Sequence, residues 1–261
     1  MSRVASASSA ATAAPSARRD LPRGYLKQSQ LPLASLVLLL PLVVFYELGT
    51  RQFAFDQARQ TEQRIIAFNM MHDFFQWFGA SGRYLPPLAV VVVLLCCHIA
   101  RNDPWKVNIS TVSGMAVEGM AWAVPLLAIG TLAARYVYQY LPLMGGGSNW
   151  RGMIVLSMGA GVYEEMVFRL AGLALLHLLL IDVFRFQKRF AYPAIVLITS
   201  LAFAHYHYWG GQPFSWRTFV FYTTAGVYFS TLFLTRGFGI TAFTHTSYDI
   251  IVVCLRCFAI G

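Results

Sequence analysis

Runs of about 20 apolar residues recur along the chain, the length a helix needs to cross a bilayer. They predict spans over residues 31–48, 84–100, 112–132, 192–209, 218–235 and 240–260, together with one longer helix over 151–181. Between the first two spans, residues 52–83 alternate polar and apolar character. Ile65, Phe68, Met71, Phe74, Phe75 and Phe78 recur there at helical spacing, while His72 and Asp73 interrupt any run long enough to span. That pattern predicts a helix lying at the membrane interface. Residues 1–30, rich in Ala, Ser, Arg and Pro, show no apolar periodicity and read as a disordered tail, a cytoplasmic extension ahead of a signal anchor. The expected fold class is all-α, a polytopic integral membrane bundle of about seven to eight transmembrane helices. Three parts follow: a tail (1–30), N-terminal spans with an interfacial helix (31–140) and a C-terminal membrane core (141–261).

Composition supports this reading. The chain of 261 residues is 57% hydrophobic and 12% charged, which argues against a soluble protein. Its net charge of +9 does not point to nucleic acid, because Lys and Arg fall mostly in the links between spans. They are denser on the tail, on residues 101–106 and 182–190 and at Arg236 than on the alternate links, so the N-terminus is expected on the cytoplasmic side. The four cysteines, Cys96, Cys97, Cys254 and Cys257, lie in or at the ends of apolar runs and read as small buried hydrophobes. Cys254-x-x-Cys257 lacks the second pair or the histidines that a zinc site needs.

Ionisable residues inside the apolar runs change the picture most. A charge at the centre of a membrane helix costs roughly 2.5–3.5 kcal/mol on insertion scales, so its presence calls for a partner or a role. Glu47 and Arg51, four apart at the end of the first span, are expected to pair at the interface, and Glu118 to make a structural hydrogen bond. His72, His98 and His177 read as interfacial or hydrogen-bonded side chains. The long helix holds three charges within six positions, in Gly159-Ala160-Gly161-Val-Tyr-Glu164-Glu165-Met-Val-Phe-Arg169. Glu165 and Arg169, four apart with the acid first, share a face and pair. Glu164 is turned about 100° away and is left free for chemistry. The small residues before it let a neighbouring helix approach closely.

Two later stretches supply possible partners for Glu164. Phe203-Ala-His205-Tyr-His207 closes the fifth span, with Phe203 and His207 on one face. His245-Thr-Ser-Tyr-Asp249 opens the last, again with its two polar groups on one face. Counting along the spans puts these groups at different depths, so their convergence with Glu164 requires shifted boundaries or a tilted helix. Gly-x-Ser-x-Gly and His-Glu-x-x-His are both absent, so neither a serine hydrolase nor a standard zinc peptidase is indicated.

In this order, Glu164-Glu165-x-x-x-Arg169, Phe203-x-x-x-His207 and His245-x-x-x-Asp249 resemble the three motifs of the CPBP family, the CAAX prenyl endopeptidase and bacteriocin-processing (Abi) membrane proteins. The resemblance covers roughly residues 150–255. It implies an intramembrane endopeptidase without a cofactor, acting on a membrane-embedded or membrane-associated peptide from within the lipid bilayer. Glu164 would then activate water, His207 help hold it, and His245 with Asp249 face the oxyanion, with Glu165 and Arg169 as structural support. His205 competes with His207 for the second motif; Phe203 stands four residues before His207, whereas Leu201 holds that place for His205. The family typically has Asn where this chain has Asp249, and an ionised Asp cannot donate a hydrogen bond to an oxyanion. Either Asp249 carries a proton or it orients His245. Two other readings use the same residues: a zinc-dependent membrane peptidase, and a non-catalytic scaffold or proton-linked transporter.

Overall fold

The ends of the apolar runs are marked by residues suited to helix termini, and the runs fold as helices between them. The computed structural model describes residues 20–56, 61–137 and 149–260. A short turn of helix, α1 (Tyr25–Gln28), leads into α2 (Pro32–Phe53), which opens on the proline that a first turn tolerates and carries Pro41 inside it. Two-residue strands β1 (Phe55–Asp56) and β2 (Thr61–Glu62) pair antiparallel, with Phe55 opposite Glu62. Then come α3 (Ile66–Trp77), α4 (Leu85–Ala100), with prolines in its first turn, and α5 (Ile109–Val137).

Asn149 caps α6 (Trp150–Gly159), its side chain accepting from the Gly152 amide at 2.9 Å. The predicted long helix continues from there, but not as a regular α-helix. Wider π-helical turns cover Ala160–Glu164 and Met166–Gly172, then α7 (Leu173–His177) restores α geometry before a last π turn at Leu178–Val183. Such turns recur at functional sites. The chain ends with α8 (Lys188–Tyr206), α9 (Trp216–Arg236) and α10 (Phe238–Ile260). Gly237, at φ 84°, makes the reversal between the last two in a conformation that disfavours any side chain.

The bundle is organised around α10, which packs against α2, α5, α6, α9 and the π turn at 160–164, while α8 lies along α9. The small residues before Glu164 serve the close approaches expected of them. A Cβ on Gly159 would overlap the ring of Tyr46 on α2, and one on Gly161 would overlap Thr246 Oγ1 and lie 2.7 Å from the Ala242 carbonyl oxygen, both on α10. Leu39, Tyr46, Tyr163, Phe203, Phe229 and Ile240 fill the core.

Among the described residues, five helices are long and apolar enough to cross a membrane: Pro32–Phe53, Ile109–Thr131, Trp150–Val183, Trp216–Arg236 and Phe238–Cys257. Their outer faces carry exposed Leu40, Phe45, Val117, Val124, Val220 and Leu234, as lipid-facing helices do. The protein is an all-helical integral membrane protein. Two predicted spans fall outside that set: α4 has only 16 residues, and α8 carries Lys188, Arg189 and His205.

Several expectations for the N-terminal part are corrected. Residues 1–19 of the predicted tail lie outside the described residues, but 20–30 are not free chain: Ser29 is buried and the Tyr25 hydroxyl donates to Glu118. The helical spacing from Ile65 to Phe78 folds as α3, and before it Phe55–Asp56 and Thr61–Glu62 pair as strands. Glu47 does not pair with Arg51. Arg64 reaches it instead, at 2.8 Å, and Arg51 turns to the Tyr84 hydroxyl at 2.6 Å and to Glu62 at 3.8 Å. Glu118 has a charged partner that spacing could not reveal, Arg236 at the end of α9, and it also accepts from Trp122. His98, expected at an interface, is buried with its ring edge-on to Trp105 at 4.4 Å.

Candidate active site

Glu164 and Glu165 enter the bundle from the π-helical turns, where the absence of a side chain at Gly161 lets α10 come close enough to bring His245 against them. The two carboxylates meet different surroundings. Glu165 is fully buried between an arginine and a histidine: its Oε1 receives Arg169 Nη1 at 3.1 Å and His245 Nδ1 at 2.7 Å. The Arg169 guanidinium lies over the ring of Phe203, 4.1 Å from its centroid, and hydrogen-bonds the Gly226 carbonyl at 3.3 Å. Aromatic faces and a carbonyl thus replace the water this charge has lost.

With Nδ1 donating to Glu165, the other nitrogen of His245 points at two further carboxylates. Nε2 lies 3.5 Å from Asp249 Oδ2 and 3.9 Å from Glu164 Oε2. The imidazole stacks on Phe229, with ring centroids 4.6 Å apart and planes at 19°. Ring orientation is therefore fixed from three directions, by a hydrogen bond, a stack and the four-residue spacing to Asp249.

Glu164 is anchored by one oxygen only. Oε1 accepts from the Tyr206 hydroxyl at 3.2 Å, while Oε2 makes no hydrogen bond among the described residues and faces His245 Nε2.

The second motif resolves into two unlike histidines. His207 donates Nδ1–H to the Phe203 carbonyl at 2.8 Å and stacks on Tyr222, with centroids 3.9 Å apart and planes at 17°. That hydrogen bond leaves Nε2 as the nitrogen with a free lone pair. Phe203 touches both the His207 and His245 rings edge-on, at 4.7 and 6.1 Å, so the two imidazoles share one aromatic wall. His205 is exposed, against Trp209, and belongs to a different face of the helix.

The structure thus brings Glu164, Glu165, Arg169, His245, Asp249 and, through Phe203, His207 into one neighbourhood, and leaves His205 outside it. These groups meet although His207 is the residue that follows α8 and His245 lies two turns into α10. Sequence reasoning missed the contact between Glu165 and His245, and missed Tyr206, Tyr222 and Phe229 altogether. Tyr206 stands between the two motif histidines and could have been suspected there. Tyr222 and Phe229 sit in an apolar helix with nothing to single them out. Among the described residues, no group of three or more His, Cys, Asp or Glu side chains is arranged to hold a metal ion. The Nδ1 atoms of both site histidines are already engaged, by Glu165 and by a backbone carbonyl.

Comparison with known proteins bears on the same stretch. Residues 146–251 match the family model described as Rce1-like, type II CAAX prenyl endopeptidase Rce1-like. No curated protein and no solved structure matches the chain.

Proposed function

We propose, from the match of residues 146–251 to the CAAX prenyl endopeptidase family model, that this membrane protein hydrolyses a peptide bond with water activated by Glu164. The observation that carries the mechanism is the asymmetric anchoring of that carboxylate: Oε1 is tied to Tyr206 while Oε2 is directed, unbonded, toward His245. A water between Oε2 and the lone pair of His207 Nε2 gives its proton to Glu164 as its oxygen attacks the carbonyl carbon. The carbon–nitrogen bond then breaks, and Glu164 returns the proton to the departing amine.

The oxyanion formed between these steps needs a donor. As an imidazolium, His245 offers Nε2–H, because Nδ1–H is committed to Glu165. Asp249, at 3.5 Å from the same nitrogen, orients the ring in place of donating, which accommodates an Asp where the family typically has Asn. Glu165 therefore has two tasks: it neutralises Arg169 and fixes the tautomer and pose of His245.

The substrate on this reading is a membrane-embedded or membrane-associated peptide reaching the site within the bilayer. With α4 and α8 also crossing, the bundle has seven spans, and the Lys and Arg bias of the links puts the N-terminus on the cytoplasmic side. The test uses purified protein in lipid nanodiscs with fluorogenic peptides, prenylated and unprenylated. Wild type is expected to cleave and Glu164→Gln to fall below about a hundredth of that rate, with a chelator changing neither. Loss of activity on chelation supports the zinc reading instead, and equal activity of wild type and variant removes Glu164 from the mechanism.

A further inference from the structure

The family match begins at residue 146, yet the site is tied to a helix far upstream of it. Ala67 lies in the first turn of α3 (Ile66–Trp77), where backbone N–H groups have no partner within the helix. Its amide, fully buried, donates to the Tyr206 hydroxyl at 2.8 Å. That hydroxyl in turn donates to Glu164 Oε1 at 3.2 Å. A three-member relay, Ala67 N–H to Tyr206 O–H to Glu164, thus joins an α3 backbone donor to the carboxylate.

The surroundings hold both ends of this relay still. Phe68, the next residue on α3, packs edge-on against Tyr163 at 5.4 Å, and Tyr163 directly precedes Glu164. The Tyr206 ring is buried against Phe168, one α-helical turn beyond Glu164, with centroids 5.1 Å apart. The Tyr163 hydroxyl also donates to Glu47 on α2, at 3.3 Å. Both the carboxylate and the residue before it are therefore referenced to the N-terminal part of the chain.

We infer that Tyr206 is a positioning residue for Glu164, and that α3 is a working part of the site through the Ala67 amide. Because the Ala67 amide donates to the Tyr206 oxygen, the hydroxyl hydrogen is directed at Oε1. Engaging Oε1 leaves Oε2 as the oxygen that meets water. Without the hydroxyl, the carboxylate is free to rotate about its terminal torsion and the reactive oxygen loses its assigned place. The inference rests on the proposed role of Glu164, and the experiment separates the two.

Peptide cleavage is measured in nanodiscs for wild type, Glu164→Gln, Tyr206→Phe and a protein carrying 3-fluorotyrosine at position 206. Tyr206→Phe is expected to lower kcat by about tenfold to a hundredfold, the scale of a misplaced reacting group, with KM within about twofold. 3-Fluorotyrosine retains the hydroxyl and is expected to restore most of kcat. Hydrogen exchange at the start of α3 should be faster in Tyr206→Phe and unchanged in Glu164→Gln. A kcat within twofold of wild type for Tyr206→Phe, with Glu164→Gln inactive, overturns the inference and leaves the peptidase reading standing. A fluorotyrosine protein as slow as Tyr206→Phe at equal folded fraction also overturns it. Full activity of Glu164→Gln sinks the reading of Glu164 itself.

Discussion

Two neighbouring histidines with opposite surroundings make the sharpest residue-level comparison. His207 stacks on Tyr222 and presents a free Nε2, whereas His205 is exposed on the other side of the helix. His207→Ala is expected to lower kcat by about a hundredfold or more, within the range for a group assisting proton transfer. His205→Ala should leave it within about twofold; a reversed order in a cleavage assay would reassign the second motif. Arg169→Met gives a stability prediction. It leaves Glu165 buried without its arginine and with His245 alone, and breaking a buried pair costs roughly 3–5 kcal/mol. A marked fall in the thermal unfolding midpoint in nanodiscs is expected. The pairs of Glu165 with Arg169 and of His245 with Asp249 were legible in the sequence because four-residue spacing is itself geometry. The bond from His245 to Glu165 was not, since the two residues are far apart in the chain and meet only once α10 has docked. Nor was the tie between Tyr206 and Glu164, which crosses from α8 to the π turns.

At the scale of elements, the docking of α10 depends on one missing side chain. A Cβ on Gly161 would lie 2.6 Å from the Thr246 backbone nitrogen and 2.7 Å from the Ala242 carbonyl oxygen, and backbone cannot swing aside as a flexible side chain does. Gly161→Val is expected to destabilise by about 1–3 kcal/mol or more and to inactivate even where it folds, because His245 moves with α10. Thermal unfolding read beside cleavage checks both parts. A second element-level device is the knot below the β1–β2 pair, where Glu62 accepts from Arg64 at 2.7 Å and from Arg83 at 2.8 Å. Burial alone raises the Glu62 carboxyl, but the hydrogen bonds from Arg83 and Arg64 outweigh it and hold the group below its ordinary value. A carboxyl held lower in the folded state contributes stability above its unfolded value, near pH 4.3. That contribution is lost as pH falls through the folded value. Hydrogen exchange over residues 61–70, corrected for intrinsic rate, should therefore show local opening on acidification, and Arg83→Gln should move that opening to higher pH. The helical periodicity from Ile65 to Phe78 folds as α3, and β pairing of Phe55 with Glu62 and the arginines gathered on Glu62 hold the chain before it.

The whole molecule was the most legible level, since long apolar runs leave little choice but membrane helices. Five of the predicted spans are long and apolar enough to cross. Less legible was the break in the long helix: three π-helical turns between Ala160 and Val183 have no composition signature, and the first two carry Glu164 and Arg169, with Glu165 at the joint between them. The division into an N-terminal part and a C-terminal core is also less sharp in the packed structure than in sequence. Glu118 is held by Arg236 from the far end of α9, and the Ala67 amide reaches the site through Tyr206.

On the proposed function, this bundle cuts membrane-associated peptides by means of Glu164. Mass spectrometry of new protein termini tests it most directly, in membranes of cells producing wild type or Glu164→Gln at matched levels, with and without a chelator. Termini are expected that appear only with wild type, persist with the chelator and derive from membrane-associated substrates. Identical termini in both membranes, with the candidate substrates shown to be present, would contradict it and leave a scaffold or transporter as the better description of the same buried charges.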